Sequence, residues 1–331
     1  MRRGHEVIRE LTSLFVSCIA DLISNYDSYT LVGKLHKSIN HGKVKVQQMD
    51  FFNDNRFVIG GNDGTIRIFN QDTLEIISTF TEHKTMIKAL CCCKNSLNVV
   101  SFSYFENLLI IWDSINLTVL HKQKLLDLTT SIIETSFDNN IVFTSGGKNY
   151  IETFNLRTMK MNRFQYKVTA GFANHLLFVP PHFVIIAHDS NMTIFNLKSR
   201  QICCYCVEHS SKITSLVFLP QNNTFASADS FVVKIWNTKS FYDFDFGRKK
   251  LHSSISTIPY DQVMQLEVLS DGLLLLGRSL SDTIFDFKSF DFTSNLFVAL
   301  NITTKEEHWI LKVLPNGNVI CVSNFSIFLF K

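Results

Sequence analysis

Residues Thr224 to Asn237 read Thr-Phe-Ala-Ser-Ala-Asp-Ser-Phe-Val-Val-Lys-Ile-Trp-Asn: an apolar strand, a tight polar turn, then a second strand closing on Trp236-Asn237. The same shape closes at Phe69-Asn70, Trp112-Asp113, Phe154-Asn155 and Phe195-Asn196, and more weakly at Phe287 and Phe330. The steps between these closing aromatics are 43, 42, 41, 41, 51 and 43 residues. A period of about 40 to 45 residues with such a dipeptide marks a four-stranded propeller blade, a unit that buries its faces only against its neighbours. One continuous ring of such units suits a chain of 331 residues.

The aromatic-Asp/Asn dipeptide at this period resembles the WD40 repeat family, over roughly nine tenths of the chain. The resemblance implies an all-β propeller. In that family a His before the inner strand, a Ser or Thr in the second strand, an Asp in the next turn and the Trp of the third strand form a buried hydrogen-bond chain. His209, Ser227, Asp229 and Trp236 stand at those places here. Other units keep fragments: His41 with Asp63 and Phe69, His83 with Glu106 and Trp112, and Asp189 with Phe195. Phe has no indole N–H to donate, so packing of Phe, Leu and Ile must hold most units, at about 1.5–3 kcal/mol per buried large side chain. The recurrence of the His and Asp residues at the blade period favours a structural role over a catalytic one.

The bulk numbers agree with a folded, apolar-cored chain. Hydrophobic residues make up 46%, with 30 Phe against 5 Pro, which excludes a largely disordered chain. A net charge of +3 is too small to indicate a general nucleic-acid binder. No apolar run reaches the roughly 18 to 20 residues of a membrane helix. The eight Cys sit in strand-like apolar contexts, as expected of small buried thiols in a reducing compartment, the cytoplasm or nucleus. Cys203 and Cys206 form a C-x-x-C, but no second pair completes a four-ligand zinc site. Neither a metal nor a cofactor is expected. No nucleophile elbow, phosphate-binding glycine loop or supported carboxylate pair points to an enzyme.

Residues 1–28 break the period. Val7, Ile8, Leu11, Leu14, Phe15, Cys18, Ile19, Leu22 and Ile23 recur at steps of three and four, which predicts an amphipathic helix. The competing reading makes two strands of an additional blade from the same stretch. Residues 29–331 then form the propeller, and Thr30 to Leu35 is an outer strand that completes the three strands of the C-terminal group and removes a free seam. The count is seven blades, with eight as the alternative.

The step of 51 residues places about nine extra residues in the connection from Trp236 toward Phe287. It contains Phe246-Gly247-Arg248-Lys249-Lys250-Leu251-His252, which makes Arg248, Lys249, Lys250 and His252 the candidate partner-binding residues. The expected role is a non-catalytic scaffold presenting loops to other proteins in an assembly. Within that class, Ile66 to Glu75 resembles the corresponding blade of the coatomer β′ subunit. The alternative is an acidic or phosphoinositide membrane surface. For that reading, Phe246 to Lys250 is similar to the Phe-Arg-Arg-Gly motif of the PROPPIN propellers, with Gly247 at the first Arg position and no Gly after the basic pair.

Overall fold

The computed structural model describes residues 35–40, 44–93, 96–125, 132–135, 140–145, 150–165, 173–241, 250–251, 254–260, 262–269, 274–281, 284–291, 296–304, 310–322 and 326–330. Five sheets are regular blades built on four consecutive antiparallel strands, one of them with an added fifth strand. They are named below by the first residue of the first strand. The Val46 blade comprises Val46–Phe51, Arg56–Gly61, Ile66–Asn70 and Ile76–Phe80. The Ile87 blade comprises Ile87–Cys93, Asn98–Ser103, Leu108–Asp113 and Thr118–Lys124. The Ile132 blade comprises Ile132–Thr135, Asn140–Ser145, Tyr150–Asn155 and Lys160–Gln165. The Ala173 blade comprises Ala173–Val179, Phe183–His188, Asn191–Asn196 and Gln201–Cys206. The Val263 blade comprises Val263–Val268, Leu274–Ser281, Ile284–Asp291 and Leu296–Thr304.

Two further sheets are built differently, so the propeller has five regular blades and not the seven, or eight, expected from the sequence. In the Ser215 sheet, Ser215–Leu219, Thr224–Ala228 and Val232–Asn237 take Ser256–Pro259 as their fourth strand, passing over Lys250–Leu251. That short strand lies instead in parallel on the outer edge of the Ala173 blade, with Cys204 opposite Lys250 and Tyr205 opposite Leu251. The closing sheet joins the two ends of the described chain, with Leu35–Asn40 against Ser326–Phe330, followed by Val319–Val322 and Ile310–Val313. Counting closing dipeptides therefore overstates the number of regular blades: an insertion has displaced one outer strand, and another comes from the far end of the chain. The described strand begins at Leu35, where the sequence pattern ends its outer strand. The amphipathic helix expected over residues 1–28 lies outside the described residues. Among those described, the only helical elements are the three-residue turns Pro220–Asn222 and Lys239–Phe241.

First strands of successive sheets neighbour one another, from Val46–Phe51 through Ile310–Val313 and back to Val46–Phe51. Side chains bridge these inner strands. Asp50 accepts from the Cys92 amide at 2.7 Å, and the Gln265 amide imitates a strand by pairing with both the N–H and C=O of Leu311 at 2.9 and 2.6 Å. Lys312 reaches Glu267 at 2.7 Å.

The apolar cores lie between sheets because strand side chains alternate and both faces of a blade are covered. Phe57 and Ile59 pack toward the closing sheet, while Val58 between them packs toward the Ile87 blade. Strands buried on both faces need near-continuous apolar sequence, which explains the Phe- and Ile-rich composition. Where Phe replaces the repeat Trp, ring stacking fills the space: Phe69 lies 5.0 Å from Phe57, as Trp236 lies 5.9 Å from Phe225.

Candidate functional site

His209 stands in the connection entering the Ser215 sheet, Ser227 in its second strand, Asp229 in the next turn and Trp236 in its third strand. The four converge. The Trp236 indole donates to Ser227 Oγ at 2.7 Å, and Ser227 Oγ lies 2.6 Å from His209 Nε2. Nδ1 lies 3.1 Å from Asp229 Oδ2. The Asp229 carboxylate facing Nδ1 can only accept, which places the imidazole proton on Nδ1 and leaves Nε2 to accept the Ser227 hydroxyl hydrogen.

The carboxylate does more than face the ring. Asp229 Oδ1 accepts the amides of Phe231 and Val232 at 2.8 and 2.9 Å, and Oδ2 those of Ser210 and Ser211 at 3.2 and 3.3 Å. One side chain thus fixes both the turn between second and third strands and the connection entering the sheet. Burial would raise the Asp229 pKa, but the donors at Phe231, Val232 and His209 outweigh it and hold the carboxyl below its ordinary range. Burial lowers the His209 pKa against the opposing pull of Asp229, so the ring is neutral at neutral pH.

A second tetrad occupies the Ile87 blade. Trp112 donates to Ser101 Oγ at 2.8 Å, Ser101 Oγ lies 2.8 Å from His83 Nε2, and His83 Nδ1 lies 3.2 Å from Glu106. Glu106 also accepts the Lys84 amide at 2.9 Å. Sequence reasoning named His83, Glu106 and Trp112 but missed Ser101. The signal was present, since the His-to-Ser offset is 18 residues in both tetrads. In the Val46 blade the carboxylate is redirected: Asp63 accepts from Thr65 and Arg67, at 2.7 and 2.9 Å, and His41 lies outside the described residues. In the Ala173 blade the Asp189 carboxylate is 3.5 Å from Asn174, and its carbonyl accepts the Ile213 amide.

Each tetrad acid adjoins an exposed aromatic. Phe231 is 56% exposed on the Asp229 turn, and Phe105 is 69% exposed beside Glu106. Both turns join second and third strands, so they lie at the same end of their sheets. The basic insert is placed only in part. Arg248, Lys249 and His252 lie outside the described residues, and Lys250 belongs to the strand added to the Ala173 blade. Just after it, the Ser254 hydroxyl donates to Glu208 at 2.6 Å, tying the end of the insert to the connection that carries His209.

Sequence reasoning also missed the role of the residue after the closing aromatic. Asn70, Asp113, Asn155 and Asn196 each accept two backbone amides of the following turn through Oδ1, and Asn237 accepts that of Lys239. The dipeptide therefore pairs a core ring with a turn-forming side chain.

Among the described residues no group of three or more His, Cys, Asp or Glu could hold a metal, and no helix is long and apolar enough to cross a membrane. The seven described cysteines are free thiols. Burial pushes the Cys93 thiol up to about 12 and the Cys203 thiol to about 11, which makes them poor nucleophiles.

The family described as WD domain, G-beta repeat, matches residues 32–70 and 201–237. The second match contains the whole His209 tetrad. No curated protein matches the chain.

Proposed function

Starting from a divergent WD40-type β-propeller, we propose that this protein is a non-catalytic scaffold that gathers protein partners into an assembly. The observation that carries the proposal is the pair of turns that present Phe105 and Phe231. Each exposed ring sits on a turn beside a hydrogen-bonded tetrad, so little conformational freedom is lost when a partner covers it. Exposed aromatics on a rigid frame are frequent anchors of protein interfaces. His83 has both ring nitrogens, and His209 its Nε2, hydrogen-bonded within the fold, and the His209 Nδ1 faces Asp229, which supports a structural rather than a catalytic role. The buried free thiols support a reducing compartment, the cytoplasm or nucleus.

The test is affinity purification with mass spectrometry on the full chain and on a Phe105→Ala, Phe231→Ala variant. The double variant should keep its thermal midpoint, since exposed positions usually shift stability by less than about 0.5 kcal/mol. It should lose the partners that the unaltered chain recovers. Equal recovery by both would reject this surface. The alternative, phosphoinositide binding through residues 246–252, draws its support from the basic sequence there, and flotation with phosphoinositide-containing liposomes separates the two readings.

A further inference from the structure

At the opposite end of the sheets, the connections between third and fourth strands form a second recurring surface. After the capping Asn or Asp, each of four successive connections passes through a left-handed residue: Leu74 at φ 55°, Leu117 at 58°, Met159 at 50° and Arg200 at 61°. That conformation disfavours side chains with a Cβ, and Gly or Asn is the usual occupant. Leu74 is 1% exposed, so burial offsets the conformational cost. Leu117 is 50% exposed, and Met159 is exposed as well, so neither backbone preference nor burial accounts for a large apolar residue at those two positions.

Around Met159 the exposed charge is positive, whereas the connection that carries Leu117 begins with Asp113, whose Oδ1 accepts the amides of Ile115 and Asn116. Arg157 and Lys160 flank Met159, and Lys198 and Arg200 lie on the same connection of the adjacent Ala173 blade. All four are exposed, and among the described residues none is in an ion pair. Arg200 stacks over Phe164 at 5.2 Å, which fixes its position.

We propose that this rim binds an acidic, apolar-studded segment of a protein partner. Leu117 and Met159 would meet its apolar side chains, and Arg157, Lys160, Lys198 and Arg200 its carboxylates. A polypeptide can meet tips on separate blades and the cations beside Met159 and on the next blade in turn, whereas a nucleic-acid backbone would leave the apolar tips unused. The proposal rests on the scaffold reading and gives it a second partner surface, remote from Phe105 and Phe231.

The probe is a fluorescein-labelled synthetic peptide of alternating Glu and Leu, followed by anisotropy with the full chain. A poly-Glu peptide and vesicles of phosphatidylcholine with phosphatidylserine are run beside it. The Glu-Leu peptide should bind more tightly than poly-Glu, and binding should weaken with salt. Arg157→Glu with Lys160→Glu should weaken it about tenfold. Leu117→Asn with Met159→Asn should weaken it severalfold without lowering the thermal midpoint, because Asn suits the left-handed backbone. Phe105→Ala with Phe231→Ala should leave it unchanged, so loss of partners in that variant reports on the scaffold reading alone. No peptide binding, binding indifferent to both rim pairs, or vesicle binding through these residues in place of peptide binding would overturn the proposal.

Discussion

The two tetrads share His, Ser and Trp at equivalent places and differ in the acid. Asp229 is fully buried and gathers four backbone amides from two separate segments. Glu106, one methylene longer and partly exposed, gathers one backbone amide, from the entering connection. The comparison teaches that the acid, more than the His–Ser–Trp relay, decides how much loop the tetrad immobilises. A short carboxylate set into the turn clamps the turn and the entering connection together. A longer one reaching in from a larger turn clamps the entering connection through the Lys84 amide.

The sharpest way to break the comparison is to remove each acid. Asp229→Ala strands four amides and one ring nitrogen in a buried site, and should cost about 3–5 kcal/mol of unfolding free energy in a urea titration. Glu106→Ala strands one amide and the buried His83 ring nitrogen, and should cost about 1–3 kcal/mol. Equal losses would show that the relay, and not the clamp, carries the stability.

Acid titration sharpens it at smaller cost. Both His83 and His209 have folded pKa values below the ordinary 6.5, mainly through burial. Protons are then favoured in the unfolded chain, so stability is full above the unfolded value and falls as pH drops below 6.5 toward the folded values. Asp229 and Glu106 have folded values below their ordinary 3.8 and 4.5, so a second loss follows as pH falls through that range and into the folded values. Urea midpoints measured from pH 7 to pH 5 should decline in the native chain, and His209→Asn should flatten that decline. A slope unchanged by the substitution would remove His209 as a source.

The smallest expected effect separates the left-handed positions. Leu117→Asn should leave stability unchanged or raise it by up to about 1 kcal/mol, because an exposed strained residue is replaced by one that tolerates the conformation. Leu74→Asn should destabilise by about 2 kcal/mol or more, since a buried leucine is lost. Both comparisons are read from thermal midpoints.

Much of this was legible in sequence because a propeller writes its period into the chain. The aromatic-Asn/Asp dipeptide marked five of the units, and His209, Ser227, Asp229 and Trp236 could be named from the sequence. Ser101 escaped because the turn at Glu106 is longer, which shifts Trp112 relative to Ser101 and hides the common offset from His83. The basic insert announced its length but not its destination: nothing in Lys250-Leu251 specifies a parallel pairing with the strand at Cys204 and Tyr205. That pairing takes the expected outer strand away from the Ser215 sheet, and it is one reason why unit counting overstated the regular blades. The outer-strand bulges that interrupt the register at Ile76–Ser78 and Val119–His121 depend on the partner strand and left no local mark.

The clamp at Asp229 is tested most directly by amide hydrogen exchange of Phe231 and Val232 in the native chain and in Asp229→Ala. The account expects both amides to be strongly protected natively, and to exchange fast in the variant while Val319–Val322 in the closing sheet stays protected. Exchange of Phe231 and Val232 at open-loop rates in the native chain would contradict it.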